Sequence, residues 1–540
     1  MPQYSIGIDY GTLSARAVLV DMASGKICAE AEYEYSHGVM DIELADGTPL
    51  EKNSAFQDPQ DYLDAAEYTI KKVVADSKAK SADILSLGID FTSCTLLPVD
   101  ESGTPLCFYN EFKSEPHSYV KLWKHHSAQN EADLITQLAQ ENEQDWLKLY
   151  GGKVSSEWLF PKMLETLNKA PRVYDSAARF IEAADWLVLQ LTGKEVHSSC
   201  MAGYKGMWNS ESGYPSGEFL EKVHTKLKNV VGTKVSENIL PTGSKSGEIN
   251  ERGHNLIGLD IGTAVAVPII DAHSALPAAG IVSDSSLMAI IGTSTCHIIM
   301  NKEPKAVPGI CGMVQDGIIP GFVAYEAGQA AVGDIFAWFI ENCTPYKYVE
   351  DSKKIGMSIF DYMTEKANAV VPGSNGVIAL DWWNGNRTPY ADYDLSGMIC
   401  GLTLTTKPEE IYRALMEATA FGTKRILDLY TSHGIDVKEI YASGGIAQKN
   451  PLLMQIYADV CEMKIKVPTG RQAAAKGGAI LAACACGYYN TFKEAADKMA
   501  DKDIIEYTPN LKNKLIYDKA YSEYCELSEY FAKRNKCGRK

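Results

Sequence analysis

Asp271 stands at the end of a short β-branched apolar run, residues 264–270 (AVAVPII), followed by His273 and a run of small residues that could open a helix. A second run, residues 287–291 (LMAII), goes straight into Gly292-Thr293-Ser294-Thr295. An acid at the mouth of one buried strand and a Gly-Thr turn at the mouth of the next suit phosphoryl transfer. The turn's amides and hydroxyls can receive phosphate, and the carboxylate can take a proton from a substrate hydroxyl. The same pattern opens the chain. Residues 5–9 (SIGID) end on Asp9, then come Gly11-Thr12-Leu13-Ser14 and a returning strand with Arg16 at its start. Asp9 is placed to hold a hydrated Mg²⁺. Two such hairpins, one opening each half, predict a duplicated fold whose turns grip one nucleotide across a cleft. The plain alternative, ordinary surface acids beside ordinary hairpins, stays open on these residues alone.

The elements that must position these groups follow from periodicity. Residues 58–78 read as an amphipathic helix capped by Asp58 with Pro59 in its first turn. A strand over 84–90 ends on Asp90 and the turn Phe91-Thr92-Ser93-Cys94, whose strand-end acids and hydroxyls either line a polyol pocket or form a turn without a ligand. Residues 110–190 carry helical patterns, and His125-His126 reads as a solvated helix face without partners at metal-ligand spacing. In the loop-like CMAGYKGMW (200–208), Lys205 is either a sugar-hydroxyl donor or an exposed lysine. Residues 257–263 (IGLDIGT) nearly copy the first hairpin but lack a polar returning strand, so Asp260 is expected on the surface. Glu326 precedes an expected helix start at Ala327-Gly328-Gln329-Ala330, where small residues let a ligand approach the backbone. Residues 380–390 (LDWWNGNRTPY) form a polar–aromatic loop that stacks a ligand or packs at a domain edge. Residues 440–450 run as strand, Ser443-Gly444-Gly445, helix and Asn450, a junction open to a base or ribose. Residues 473–487 are a tightly packed small-residue helix, and the tail is an amphipathic one.

At 540 residues the chain exceeds one core, and two domains are expected, 1–270 and 271–540. With 46% hydrophobic and 22% charged residues the composition is globular. The net charge of −17 argues against nucleic-acid or anionic-membrane binding as the main task, but not against a phosphorylated substrate at a locally positive site. No apolar run has the length of a membrane span, and the N-terminus lacks the regions of a signal peptide. The 13 cysteines are scattered without a CxxC pair and read as reduced cytosolic thiols, so a cytoplasmic location is expected.

Taken in order, IGIDYGTLSARAVLVD, GIDFTSCTLLPVD, GGKVSSEW, EAADWLVLQLTG, CMAGYKGMW, DAHSALPAAG, IGTSTCHIIM, GICGMV, PGFVAYEAGQAAVGDIFAWF, DWWNGNRTP and SGGIAQKNPLLMQIYADV closely resemble the FGGY carbohydrate kinases. Within that family they resemble the branch that phosphorylates L-ribulose, and the likeness spans residue 4 to about 490. GGIAQKNPLLMQIYAD resembles the C-terminal family signature. EWLFPKMLETL resembles the N-terminal signature but lacks the usual aromatic after its lysine. The resemblance implies two actin-like (ribonuclease H-like) α/β domains with ATP and Mg²⁺ in the cleft between them. It implies that Asp271 is the general base and that Ser93, Lys205 and Glu326 contact the ketopentose. Gly11, Thr12, Arg16, Gly292 and Thr293 then serve the phosphates, Gly328, Gly444, Gly445 and Asn450 the adenosine, and Asp9 the metal. The implied activity is ATP-dependent phosphorylation of L-ribulose to L-ribulose 5-phosphate in L-arabinose catabolism, with a homodimer an open option.

Three rivals remain at this stage. A sibling kinase would take D-ribulose, D-xylulose or a pentitol. An actin- or chaperone-like ATPase would use its nucleotide cleft for assembly, leaving Asp271, Lys205 and Glu326 without a task. A sugar sensor without catalysis would have no use for the acid and both Gly-Thr turns.

Overall fold

In the computed structural model, which describes residues 2–374 and 376–538, two seven-stranded sheets carry the architecture. In the first, Tyr4–Tyr10, Ser14–Asp21 and Ile27–Glu34 run antiparallel in sequence order, and Ile84–Phe91 joins the far side of Tyr4–Tyr10 in parallel. Ala264–Ala266 extends that parallel side, and Lys245–Glu248 ends it. The second sheet repeats the plan. Ser286–Ile291 and Thr295–Asn301 form the hairpin, Val323–Gln329 adds to it antiparallel, and Glu439–Ser443 joins Ser286–Ile291 in parallel. The duplication expected from the two Gly-Thr hairpins is therefore present in strand order as well as in sequence.

Each parallel step needs a crossover helix, supplied by Pro59–Ser77 in the first half and Pro408–Ser432 in the second. Asp58 caps the former by accepting the Gln60 amide, with Pro59 in the first turn. The alternating exposure of Ile27–Glu34 (ICAEAEYE) is that of an edge strand with one wet face. A third apolar core gathers residues between Cys94 and Val235, with Trp158, Phe160 and Met163 inside it.

The small-residue helix Ala473–Ala485 reaches back to the first sheet. A Cβ on Gly7 would stand 1.7 Å from the Ala475 carbonyl oxygen, and one on Gly88 2.0 Å from that of Gly478. On the helix's other side Gly477 meets the Ser274 carbonyl, where a Cβ would stand 1.7 Å away. Ser5 Oγ donates to the Ala479 carbonyl and Ser274 Oγ to the Ala474 carbonyl, fixing both contacts. The helix thus lies between the first sheet and helix Asp271–Ala278.

Several local expectations are corrected. The run 264–270 is two short strands, Ala264–Ala266 and Ile269–Ile270, because Pro268 cannot donate to the ladder. Lys205 ends a helix, Ser199–Lys205, capped by Ser198, rather than sitting in a loop. Residues 327–329 continue the strand Val323–Gln329, and the helix starts only at Gly333. His125 is not solvated: it is fully buried, its Nδ1 accepts the Ala55 amide at 3.1 Å, and its Nε2–H donates to Glu165 at 2.8 Å. Asp260 is exposed, as expected. Among the described residues the cysteines are unpaired, and no helix is long and apolar enough to cross a membrane.

Candidate active site

Three acids meet where the first sheet ends. Asp9 and Asp90 are register partners on adjacent parallel strands, and Ile269–Ile270 pairs with Asp90 and Phe91, so that Asp271 emerges beside both. Asp271 opens helix Asp271–Ala278, and its Oδ1 accepts the Ala272 amide at 2.6 Å. A helix N-terminus normally lowers a carboxyl's pKa. Here burial first, and then the charge of Asp9, push Asp271 up to about 7, against the Ala272 amide and Lys205. A carboxyl poised near neutral pH is suited to proton abstraction.

Asp90 does not line a pocket. It is wholly buried, and burial with the charges of Asp9 and Asp271 lifts it far above the carboxylate range. It is a neutral acid under the site. Asp9 is raised by burial, and the Arg16 guanidinium lies 3.9 Å away, closer to Glu32 at 2.9 Å. Arg16 is thus tied mainly to the neighbouring strand. Acids held above their usual pKa with so little fixed positive charge beside them fit a divalent cation. Asp9 with substrate phosphates and water would supply its oxygens, since Mg²⁺ commonly binds through one or two carboxylates plus phosphates.

Next to the acids lies a charged pocket. Lys205 Nζ is 3.8 Å from Glu326 Oε1, and His273 Nε2 is 3.2 Å from Glu326 Oε2. Cys200 Sγ is 3.1 Å from the other nitrogen, Nδ1. Burial keeps His273 neutral, so its single N–H goes to the carboxylate from Nε2, and Nδ1 accepts the thiol proton. Glu326 would rise on burial, yet Lys205 and then His273 hold it well below the carboxylate range. Lys205 would fall on burial, but Glu326 keeps it charged. Ser93 is half-buried in the turn whose Cys94 also feels the Lys205 charge. That turn is clamped by the buried Lys162, which donates to the carbonyls of Cys94 and Leu122. Glu165, in the stretch EWLFPKMLETL, pairs with buried Lys121 at 2.6 Å and with His125.

The two turns offer less than expected at their glycines and more at their threonines. The Gly11 and Gly292 amides close their own hairpins onto Ser14 and Ser294 at 3.0 and 2.9 Å. The Thr12 and Thr293 amides make no hydrogen bond among the described residues, and Gly292 and Thr293 are exposed. The Thr12 hydroxyl accepts the Trp123 indole N–H at 3.1 Å, which leaves its own proton to donate. Asp271 feels the charge of Asp9, which precedes the first turn, and its own charge is felt by Cys296, which follows the second.

The adenosine candidates divide. Gly445 is open, with no atom within 4 Å of a Cβ there. Gly444, at φ +98°, packs against the carbonyl of Ile291, just before the Gly292-Thr293 turn. Asn450 uses its side-chain oxygen to cap helix Pro451–Cys461 through the Leu453 amide at 3.0 Å. Gly328 is buried mid-strand beneath Arg387 rather than at an open approach. The sequence reading missed His273, Cys296, Trp123, Lys162 and Arg387 as members of this region. Of these, His273 stands two residues after Asp271, Lys162 lies in the stretch EWLFPKMLETL, Cys296 follows the second turn directly, and Arg387 lies in the loop at 380–390.

Residues 4–277 match the N-terminal domain of the FGGY family of carbohydrate kinases, and residues 287–486 match its C-terminal domain. The chain is 48% identical over 528 residues to the ribulokinase of Bacillus licheniformis, covering 97% of this chain and 96% of that one. It is 47% identical over 536 residues to the ribulokinase of Geobacillus thermodenitrificans, covering 98% and 95%. Its fold is similar to that of a xylulose kinase from Rhodospirillum rubrum, with TM-score 0.80 and 19% identity over 98% and 99% of the chains. It is also similar to a glycerol kinase from Plasmodium falciparum with ADP, with TM-score 0.77 and 18% identity over 98% of each chain.

Proposed function

The chain belongs to the FGGY family of carbohydrate kinases, and from that membership we propose that it transfers the γ-phosphoryl group of ATP to the terminal hydroxyl of L-ribulose, giving L-ribulose 5-phosphate and ADP. The observation that carries the chemistry is Asp271, a carboxyl poised at about 7 beside Asp9 and in the field of the Lys205–Glu326 pair. The relatives' names favour the substrate.

In this reading Asp271 takes the proton from the sugar's terminal hydroxyl as that oxygen attacks the γ-phosphorus in line. The bond between the γ-phosphorus and the bridging oxygen breaks, and its electron pair leaves with ADP. The transition state is loose, so positioning and charge neutralisation supply most of the rate. The free amides and hydroxyls of Thr12 and Thr293 hold phosphate oxygens, and Gly445 admits the nucleoside. Mg²⁺ bound through Asp9 would neutralise phosphate charge. Lys205 and Glu326 hold sugar hydroxyls as a fixed donor–acceptor pair, with Ser93 a further contact. We assign the acceptor side mainly to residues 1–270 and the nucleotide side to 271–540, with Glu326 reaching into the acceptor pocket from the second.

The test is ADP release from MgATP with L-ribulose, D-ribulose, D-xylulose, L-xylulose, ribitol, glycerol and no sugar. The highest kcat/KM is expected with L-ribulose. Preference for another sugar overturns the substrate, and hydrolysis indifferent to every sugar overturns the kinase. A second expectation concerns pH. A general base works deprotonated, so kcat/KM for the sugar rises with pH through about 7 and falls about tenfold per unit well below it. A flat profile between pH 5.5 and 8 removes Asp271 from this role.

A further inference from the structure

The loop after strand Ile378–Leu380 brings into the acceptor pocket a cation that the chemistry above does not use. The loop is rigidly fixed. Trp382 is buried and packs edge-on against Tyr390 with ring centroids 5.6 Å apart, and Asn386 accepts the Tyr390 amide at 3.0 Å through its side chain. Asn386 and Asp392 also exchange backbone hydrogen bonds at 2.8 and 2.9 Å. Thr388 Oγ1 accepts the Gly328 amide at 3.3 Å, pinning the loop to strand Val323–Gln329.

Between these fixings Arg387 lies flat over Gly328. Its Cδ and Nη1 stand 3.0 and 3.2 Å from where a Cβ would be, so the glycine makes room for the guanidinium. Gly328 faces Cys296 across the ladder and lies two residues beyond Glu326. Strand alternation puts Glu326, Gly328 and Cys296 on one face, which places the guanidinium beside the Glu326 side chain. The charges agree: Arg387 helps keep Glu326 ionised, and it feels Cys311, Cys296, Tyr393 and, from the first half of the chain, Glu157. Cys296, opposite Gly328, feels both Glu326 and Arg387.

The other charged groups of the pocket have fixed partners. Glu326 has Lys205 and His273, whereas no carboxylate stands within ion-pair distance of Arg387 among the described residues. A guanidinium keeps its charge and offers five donors in a planar fork. Tyr393 lies close enough for its phenol to feel the guanidinium charge. Donors of a half-buried guanidinium without a fixed acceptor are stabilised by a ligand that supplies one. At the end of the pocket away from Asp271, a 2-ketose presents its C2 carbonyl and C1 hydroxyl as adjacent oxygens, which suit the fork.

We propose that Arg387 is a substrate-binding residue whose guanidinium donates to the carbonyl and adjacent hydroxyl oxygens of a 2-ketose acceptor, at the end opposite the reacting hydroxyl. The inference rests on the sugar-kinase reading and deepens it by naming what selects ketose over polyol.

The test compares wild type with Arg387→Met and Arg387→Lys. L-ribulose binding is measured calorimetrically without ATP, and steady-state rates are measured for L-ribulose and ribitol. Arg387→Met is expected to weaken L-ribulose binding and raise its KM by about 10–100-fold, the scale of a charge-assisted hydrogen bond. The KM for ATP should stay within about threefold, and discrimination between L-ribulose and ribitol should shrink. Arg387→Lys should recover part of the loss, and it carries the test alone if the Met variant does not fold. Unchanged L-ribulose binding in a folded variant overturns the proposal. A fall in kcat with sugar binding intact also overturns it, because that would aim Arg387 at the phosphoryl group. A wild type that turns over L-ribulose while its variants do not change defeats this inference alone. A wild type that neither binds nor turns over any sugar defeats the kinase reading with it.

Discussion

Asp271→Asn lowers kcat by about 10²–10⁴-fold, the usual scale for a general base, while ATP affinity stays nearly unchanged. The substitution keeps shape and polarity but removes the ability to take a proton. Its specificity as a test comes from geometry. Asp271 contacts the backbone amide that follows it and feels Asp9 and Lys205, whereas the nucleotide candidates lie on the two hairpins and at Gly445. The same variant makes an opposite prediction for stability. The folded-state pKa of Asp271 is raised, so the folded protein binds this proton more tightly than the unfolded chain. Its favourable contribution is present below the unfolded value near 4 and is lost as pH rises through about 7. At pH 8 Asp271→Asn should therefore raise the melting temperature even as it removes activity. Near-normal turnover, or a lower melting temperature at pH 8 than at pH 5 relative to wild type, would count against the assignment.

Gly477→Ala is expected to destabilise the protein by about 3 kcal/mol, the upper range for overpacking a close contact, although alanine at a helix interior is ordinarily better than glycine by about 1 kcal/mol. The added methyl carbon would stand 1.7 Å from the Ser274 carbonyl oxygen and 2.8 Å from its hydroxyl. The two nearest atoms are backbone and cannot swing aside as a side chain could, so the two helices must separate. Ser274 lies on the helix that Asp271 opens. Their separation therefore moves the carboxylate, and a misplacement near 1 Å can cost about 10²-fold in rate. The paired readouts are urea unfolding and kcat on the folded fraction. A variant more stable than wild type would mean that helix propensity outweighs the contact and that the helices do not pack as described.

Residues whose roles depend on local pattern were legible before folding. The hairpins around Gly11 and Gly292 could be read because a β-branched run ending in Gly-Thr is a strand and turn with little outside help. Their repetition exposed the duplicated α/β fold. Asp271 could be read because a carboxyl that ends an apolar run is held at the mouth of the sheet, close to the turn that ends the next strand. Lys205 and Glu326 needed the ordered resemblance to the kinase family, since a lysine near glycines or a glutamate near alanines is common.

What failed to show was decided by contacts between residues distant in sequence. His125 looked solvated because its partner, Glu165, is 40 residues away. Asp90 looked like a pocket wall because nothing local reports that Asp9 and Asp271 close over it. Gly328 looked like a ligand approach because the residue that occupies its missing side chain is Arg387, on another loop. The sequence by itself determined the two strand-and-turn frames and the place of Asp271 at the end of an apolar run, since backbone geometry and apolar periodicity are short-range. Only the tertiary structure decided which charges are neutralised, which acid is poised near neutral pH and which cation is left for a ligand. Those properties are set by burial and by charges brought together across the whole chain.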